Sequence, residues 1–172
     1  MKHLLNTTLF LLCITFVMSC DTGPEGWRKK ADKAYADQHY PEAARAYSEV
    51  IRLDPNQTEA RFFLAVCQQV QGQYKEAIAN LNQVLLEEPD AYKAALNRGH
   101  CHYALNDYAA AQHDYQLVLE LEPGYGLALN PLAHMQFYQG DTSAACQTLV
   151  QAVEAMAGRE VDTALQKACD ER

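Results

Sequence analysis

Glycine and proline are sparse in this chain, eight and six residues of 172, and there is a single tryptophan. So few helix breakers exclude a collagen-like or low-complexity chain. Few stretches alternate apolar and polar residues with period two, which argues against a strand-built sandwich or barrel. Cations are in deficit: 14 Lys and Arg stand against 22 Asp and Glu, a formal charge of −8. With no basic stripe to follow a phosphate backbone, nucleic acid is excluded as a partner. Charged residues at 21% and apolar residues at 49% do not fit an intrinsically disordered chain. The sequence also lacks a glycine-rich phosphate loop, a nucleophile elbow and an HExxH pair. The carboxylates read as occupants of solvated helical faces. His100, His102 and His134 stand at no spacing typical of zinc ligands, alone or with the cysteines. The expectation is an all-α chain that is no enzyme, with no metal, no cofactor and no small-molecule substrate.

The N-terminus differs in composition from the rest. Met1-Lys2-His3 is a short positive start, Leu4 to Val17 is mostly apolar, and Asp21-Thr22-Gly23-Pro24 turns polar. The apolar stretch is too short and too interrupted for a comfortable membrane span and fits the core of a secretory signal. Val17-Met18-Ser19-Cys20 resembles a bacterial lipobox. The resemblance implies a signal peptide over 1–19 and acyl chains, palmitate among them, on Cys20. It also implies a short linker over 20–24 and a place in the cell envelope, anchored to a bacterial membrane and facing the periplasm. An ordinary signal peptide with an incidental cysteine, or an uncleaved anchor, would leave the same pattern. Loss of Lys2 with the leader makes the remaining body more acidic still, so acyl chains rather than the protein surface are expected to hold it to lipid.

The most informative pattern is a self-similarity with a period of about 34 residues. Pro55, Pro89 and Pro123 fall in register, as do Ala43, Ala77 and Ala111, and Tyr40, Tyr74 and Tyr108. Tyr47, Leu81 and Tyr115 share a column, Val50, Val84 and Val118 another, and Ala31, Ala65 and Gly99 a column of small residues. Each unit reads as two amphipathic helices, A and B, packed at the small residues and ended near the proline. A fourth, degraded unit carries Ala133, Gly140-Asp141, Ala145, Leu149 and Ala152. Pro131 falls inside its helix A, so that helix is expected to begin near Asn130 or to kink there. A short helix over 160–170 serves as a cap.

Self-similarity at this period resembles the tetratricopeptide repeat (TPR) family. The resemblance implies a right-handed α–α superhelix over 25–157, in units of about 24–57, 58–91, 92–125 and 126–159, plus a capping helix and tail over 160–172. Family groove positions map onto Arg28, Asp32 and Tyr35, onto Phe62, Val66 and Gln69, onto Leu96, His100 and Tyr103, and onto Asn130, His134 and Phe137. Phe62, Tyr103 and Phe137 are the expected anchors; the alternative is that these side chains pack between neighbouring helices. One subclass of the family binds a partner's terminal carboxylate. Arg28, Lys93 and Asn97 occupy three of its five places here, but Asp32 and Phe63 occupy the others, and neither can bind an anion.

The resemblance also implies a protein partner in the envelope, held in the groove as by small TPR lipoproteins of pilus or secretion assembly. A self-associating structural module and a regulatory subunit of an envelope enzyme complex are the alternatives. Among the cysteines, Cys146 and Cys169 stand almost equally far before and after Gly158. That symmetry across a helical hairpin predicts a disulfide between them. Cys67 and Cys101 hold equivalent places in neighbouring units and read as free buried thiols.

Overall fold

The computed structural model describes residues 23–156 together with Gln166, Lys167 and Cys169. The expected leader, Cys20 and its linker as far as Thr22, and most of the expected capping helix lie outside the described residues. Eight helices and no strand form among the described residues. They are α1 Pro24–Ala36, α2 Tyr40–Leu53, α3 Thr58–Val70, α4 Tyr74–Glu87, α5 Tyr92–Ala104, α6 Tyr108–Leu121, α7 Gly126–Tyr138 and α8 Thr142–Met156. A helices start at residues 24, 58, 92 and 126, and B helices at 40, 74, 108 and 142. The period of the sequence is therefore the period of the fold.

Each A helix passes to its B helix through one residue in the left-handed region: Gln38, Gly72, Asn106 and Gly140, with φ of 60°, 75°, 62° and 87°. Glycine adopts this conformation without a Cβ penalty, and asparagine tolerates it. Asp107 and Asp141 then accept the backbone N–H of Ala110 and Ala144, which caps the B helices that follow.

Two compact units divide the chain, the first ending at Glu76 and the second beginning at Ala77. In the first, α1, α2 and α3 bury Ala31, Ala43, Ala46, Tyr47, Val50, Ala60, Leu64 and Cys67. Ala31 and Ala43 are fully buried; their methyl groups let α1 and α2 approach closely. In the second, α5, α6 and α7 bury Ala95, Leu96, Ala111, Tyr115, Val118, Ala128, Leu132 and Met135. Gly99 holds the place of Ala31 there because a Cβ would lie 2.9 Å from Cε1 of Tyr115.

Three expectations need correction. The carboxylates do not all lie on solvated faces: Asp114 is 1% exposed. Nε and Nη2 of Arg98 donate to its two oxygens at 3.0 and 2.5 Å, and Nη1 donates to Asn82 at 2.8 Å. Next, α7 begins at Gly126 and runs through Pro131, which removes the alternative that the helix begins near Asn130. Pro131 lacks the N–H that would bond to the Leu127 carbonyl, and that carbonyl is paired with the ring of His100 on α5. A neighbouring helix thus supplies the donor that proline removed. Finally, Leu96 is 6% exposed and belongs to the core. Its column faces a groove only where the helix is not covered.

Cys146 and Cys169 form a disulfide with 5.6 Å between their alpha carbons. Cys67 and Cys101 are free and buried. Burial pushes their thiols up to about 11 and about 12.

Candidate functional site

The candidate surface is the outward face of the A helices, and each unit contributes its own part. In the first unit, α1 and α3 lie side by side. Arg28 donates through Nε to Asp32 at 3.0 Å and through Nη2 to Glu59 at 2.5 Å. Asp32 also accepts the hydroxyl of Tyr47 at 2.8 Å; burial, reinforced by this bond, raises the tyrosine's pKa well above its usual range. Beside this polar knot stands an aromatic cluster. Tyr35 meets Phe63 edge to face at 5.1 Å and Tyr40 at 5.9 Å, Phe62 meets Phe63 at 5.5 Å, and Phe63 stacks on Tyr47. Tyr35, Phe62, Val66 and Gln69 are all half-buried, as side chains must be if they are rigid yet reachable.

The single cation of this patch is already committed. With two carboxylates on it, Arg28 is not free to receive a terminal carboxylate. The exposed surface is aromatic and aliphatic with amide edges, suited to apolar side chains of a peptide or helix.

In the second unit, α5 and α7 bring His100, Tyr103, Asn130, His134 and Phe137 to partly exposed positions. Several of them also support the fold. His100 packs on the Tyr115 ring at 5.6 Å and pairs with the Leu127 backbone. Burial lowers its pKa, and the bond to Leu127 opposes this only in part. Tyr103 meets Tyr108 edge to face. Phe137 packs on Ala133, Ala145 and Leu149, the cluster against which Cys169 of the disulfide also packs. Tyr138, 76% exposed, extends the His134–Phe137 cluster. Its column lies outside the mapped groove positions, so the repeat alignment gave no signal for it.

His100 therefore has a testable structural role. His100→Ala leaves the Leu127 carbonyl without its donor, and the expected loss is about 1–3 kcal/mol. In a Pro131→Ala background the helix supplies its own N–H, so the loss from His100→Ala should shrink. Guanidinium unfolding of the four chains measures the coupling, and an equal loss in both backgrounds would sink the assignment. The pH sign follows from the lowered pKa. Between the ordinary histidine pKa of about 6.5 and the lower folded value, the unfolded chain binds a proton that the folded chain does not. This contribution to stability is complete above that pH and falls as the pH drops below it.

A second feature of the first unit is a depression of about 1300 Å³ lined by α1, α2 and α3, with Trp27, the cations Lys30, Lys33 and Arg45, and the carboxylates Asp37, Glu42 and Glu49 among its walls. Lys30 places its ammonium 4.8 Å from the centre of the Trp27 ring.

Two family profiles described as tetratricopeptide repeat match this chain, over residues 34–99 and 92–125. It is 28% identical over 96 residues to Hsp70-Hsp90 organizing protein 3 of Arabidopsis thaliana, covering 56% of this chain and 17% of that protein. The chain thus spans about a sixth of that relative's length. Among solved structures it is similar to MamA, with a TM-score of 0.76, 17% identity, and coverage of 83% of this chain and 84% of MamA. It is also similar to the first TPR of Spaghetti (RPAP3) bound to the HSP90 peptide SRMEEVD. There the TM-score is 0.65, identity is 24%, and 70% of this chain and 95% of that one are covered. At these identities the solved structures share the fold with this chain.

Proposed function

Because this chain belongs to the tetratricopeptide repeat family, we propose that it is a protein–protein adaptor that holds a segment of a partner on its A-helix faces. The observation that carries this reading is the half-buried set Tyr35, Phe62, Val66 and Gln69 on adjacent A helices of the first unit. Aromatic groups held rigid at part exposure are the usual energetic anchors of an interface. The RPAP3 domain binds a peptide ending in an acidic residue, but here Asp32 and Glu59 neutralise Arg28. The favoured ligand is therefore an apolar or amphipathic segment rather than an acidic C-terminus.

The lipobox-like run ending at Cys20 supports a lipid anchor in a bacterial envelope. The partner is then an envelope protein, and pilus or secretion-machine assembly is the setting we favour. Cys20→Ser should abolish acyl labelling and release the chain from the membrane fraction; unchanged labelling and fractionation would refute the anchor.

The adaptor reading is tested by partner capture. Phe62→Ala with Val66→Ala should weaken capture of a partner, first identified by crosslinking, by about thirtyfold, the equivalent of one hot spot of about 2 kcal/mol. Helix content should be unchanged by circular dichroism. Undiminished capture would place the site elsewhere.

A further inference from the structure

The chain is acidic, but its cations are not spread evenly. α1 carries Arg28, Lys29, Lys30 and Lys33 within 13 residues. Arg28 is held by Asp32 and Glu59. Lys29, Lys30 and Lys33 are exposed, and none of them is ion-paired among the described residues. Lys30, Lys33 and Trp27 lie along one side of the helix and line the depression described above, whose other charged walls are Asp37, Glu42, Arg45 and Glu49. Trp27 is half-buried against the core beneath them. An amphipathic indole flanked by exposed lysines matches an anionic headgroup layer, where each lysine near the surface favours association about fivefold.

Position decides what covers this face. Only a short stretch of chain separates Cys20 from Pro24, the first residue of α1. A fully extended chain of that length spans at most about 14 Å. If Cys20 carries acyl chains, α1 starts within reach of the headgroups, and a helix lying along the surface would bring its lysines within the roughly 10 Å over which charge acts. From these observations we infer that the Trp27, Lys29, Lys30 and Lys33 face of α1 docks on anionic phospholipid. It would orient the A-helix faces relative to the membrane that the acyl chains merely tether. This rests on the lipid anchor proposed at Cys20.

Trp27 is the only tryptophan of the chain, so its fluorescence reports this face alone. The full lipidated chain would be combined with phosphatidylcholine vesicles and with equal mixtures of phosphatidylcholine and phosphatidylglycerol, each carrying a brominated lipid quencher. Quenching of Trp27 is expected in the anionic vesicles only, and it should fade at high salt. The K29E/K30E/K33E chain should lower the docked-to-undocked ratio at least about a hundredfold, the loss of three lysines at about fivefold each before any repulsion by the glutamates. The K29R/K30R/K33R chain should retain the response.

Flotation with the neutral vesicles reads the anchor separately: a chain that does not float refutes the anchor. Trp27 quenching on added anionic vesicles still decides the docking face. Equal quenching in both vesicle types, or quenching unchanged by charge reversal, would overturn the inference. So would shielding of Trp27 that grows with protein concentration without lipid, since a second copy would then cover the face.

Discussion

Asp114→Ala is expected to lower the free energy of unfolding by about 3 kcal/mol, at the lower end of what breaking a buried ion pair costs. The carboxylate is 1% exposed and receives two bonds from Arg98. Its removal strands a guanidinium whose side chain is only 19% exposed. The remaining bond to Asn82 and that slight exposure keep the loss from being larger. The repeat supplies its own control. Leu132 and Thr148 hold the columns of Arg98 and Asp114 in the unit that follows, and Leu132 is buried. Arg98→Leu with Asp114→Thr should therefore stay within about 1 kcal/mol of the native chain, because no charge is left unpaired. Urea unfolding of the single and double variants measures this. A single variant as stable as the native chain, or a double variant as damaged as the single, would refute the account.

Loss of the disulfide is the second large effect. The Cys146–Cys169 bridge closes a stretch with a sequence separation of 23. Freeing such a loop in the unfolded state removes about 3 kcal/mol of stability. Cys146→Ser, Cys169→Ser and reduction of the native chain should each lower the unfolding midpoint by the same amount, and reduction should add nothing in either variant. The damage should centre on α8 and Phe137, which pack beside the bridge. Hydrogen exchange should rise there first. An unchanged midpoint after full reduction would show that the bridge does not hold this end of the chain.

Much of the fold was legible because a repeat writes the same physics several times. Prolines, small residues and left-handed turn residues recur at one spacing, so each unit corroborates the others. The Cys146–Cys169 pairing was legible from the near-equal spacing of the two cysteines about Gly158, and the disulfide joins those two residues.

What escaped were the places where one unit departs from the pattern. Arg98 and Asp114 occupy columns that hold Leu64 and Asn80 in the unit before. Nothing in their spacing announces that they turn inward toward each other. Pro131 read as a helix breaker because the partner for the Leu127 carbonyl, His100, belongs to the preceding unit and meets it only once α5 and α7 pack.

By itself the sequence determined the helix pairs, their period, the turns and the apolar columns, since these follow from local backbone preference and the amphipathic periodicity of the helix. Tertiary structure alone decided which groove-column side chains stay reachable, such as Phe62 and Val66, and which are spent on the fold, such as Leu96 and His100. It alone also showed that Arg28 is neutralised by Glu59 from the neighbouring helix. Exposure and charge pairing depend on which surfaces meet across helices distant in sequence, and a column position carries no record of that meeting.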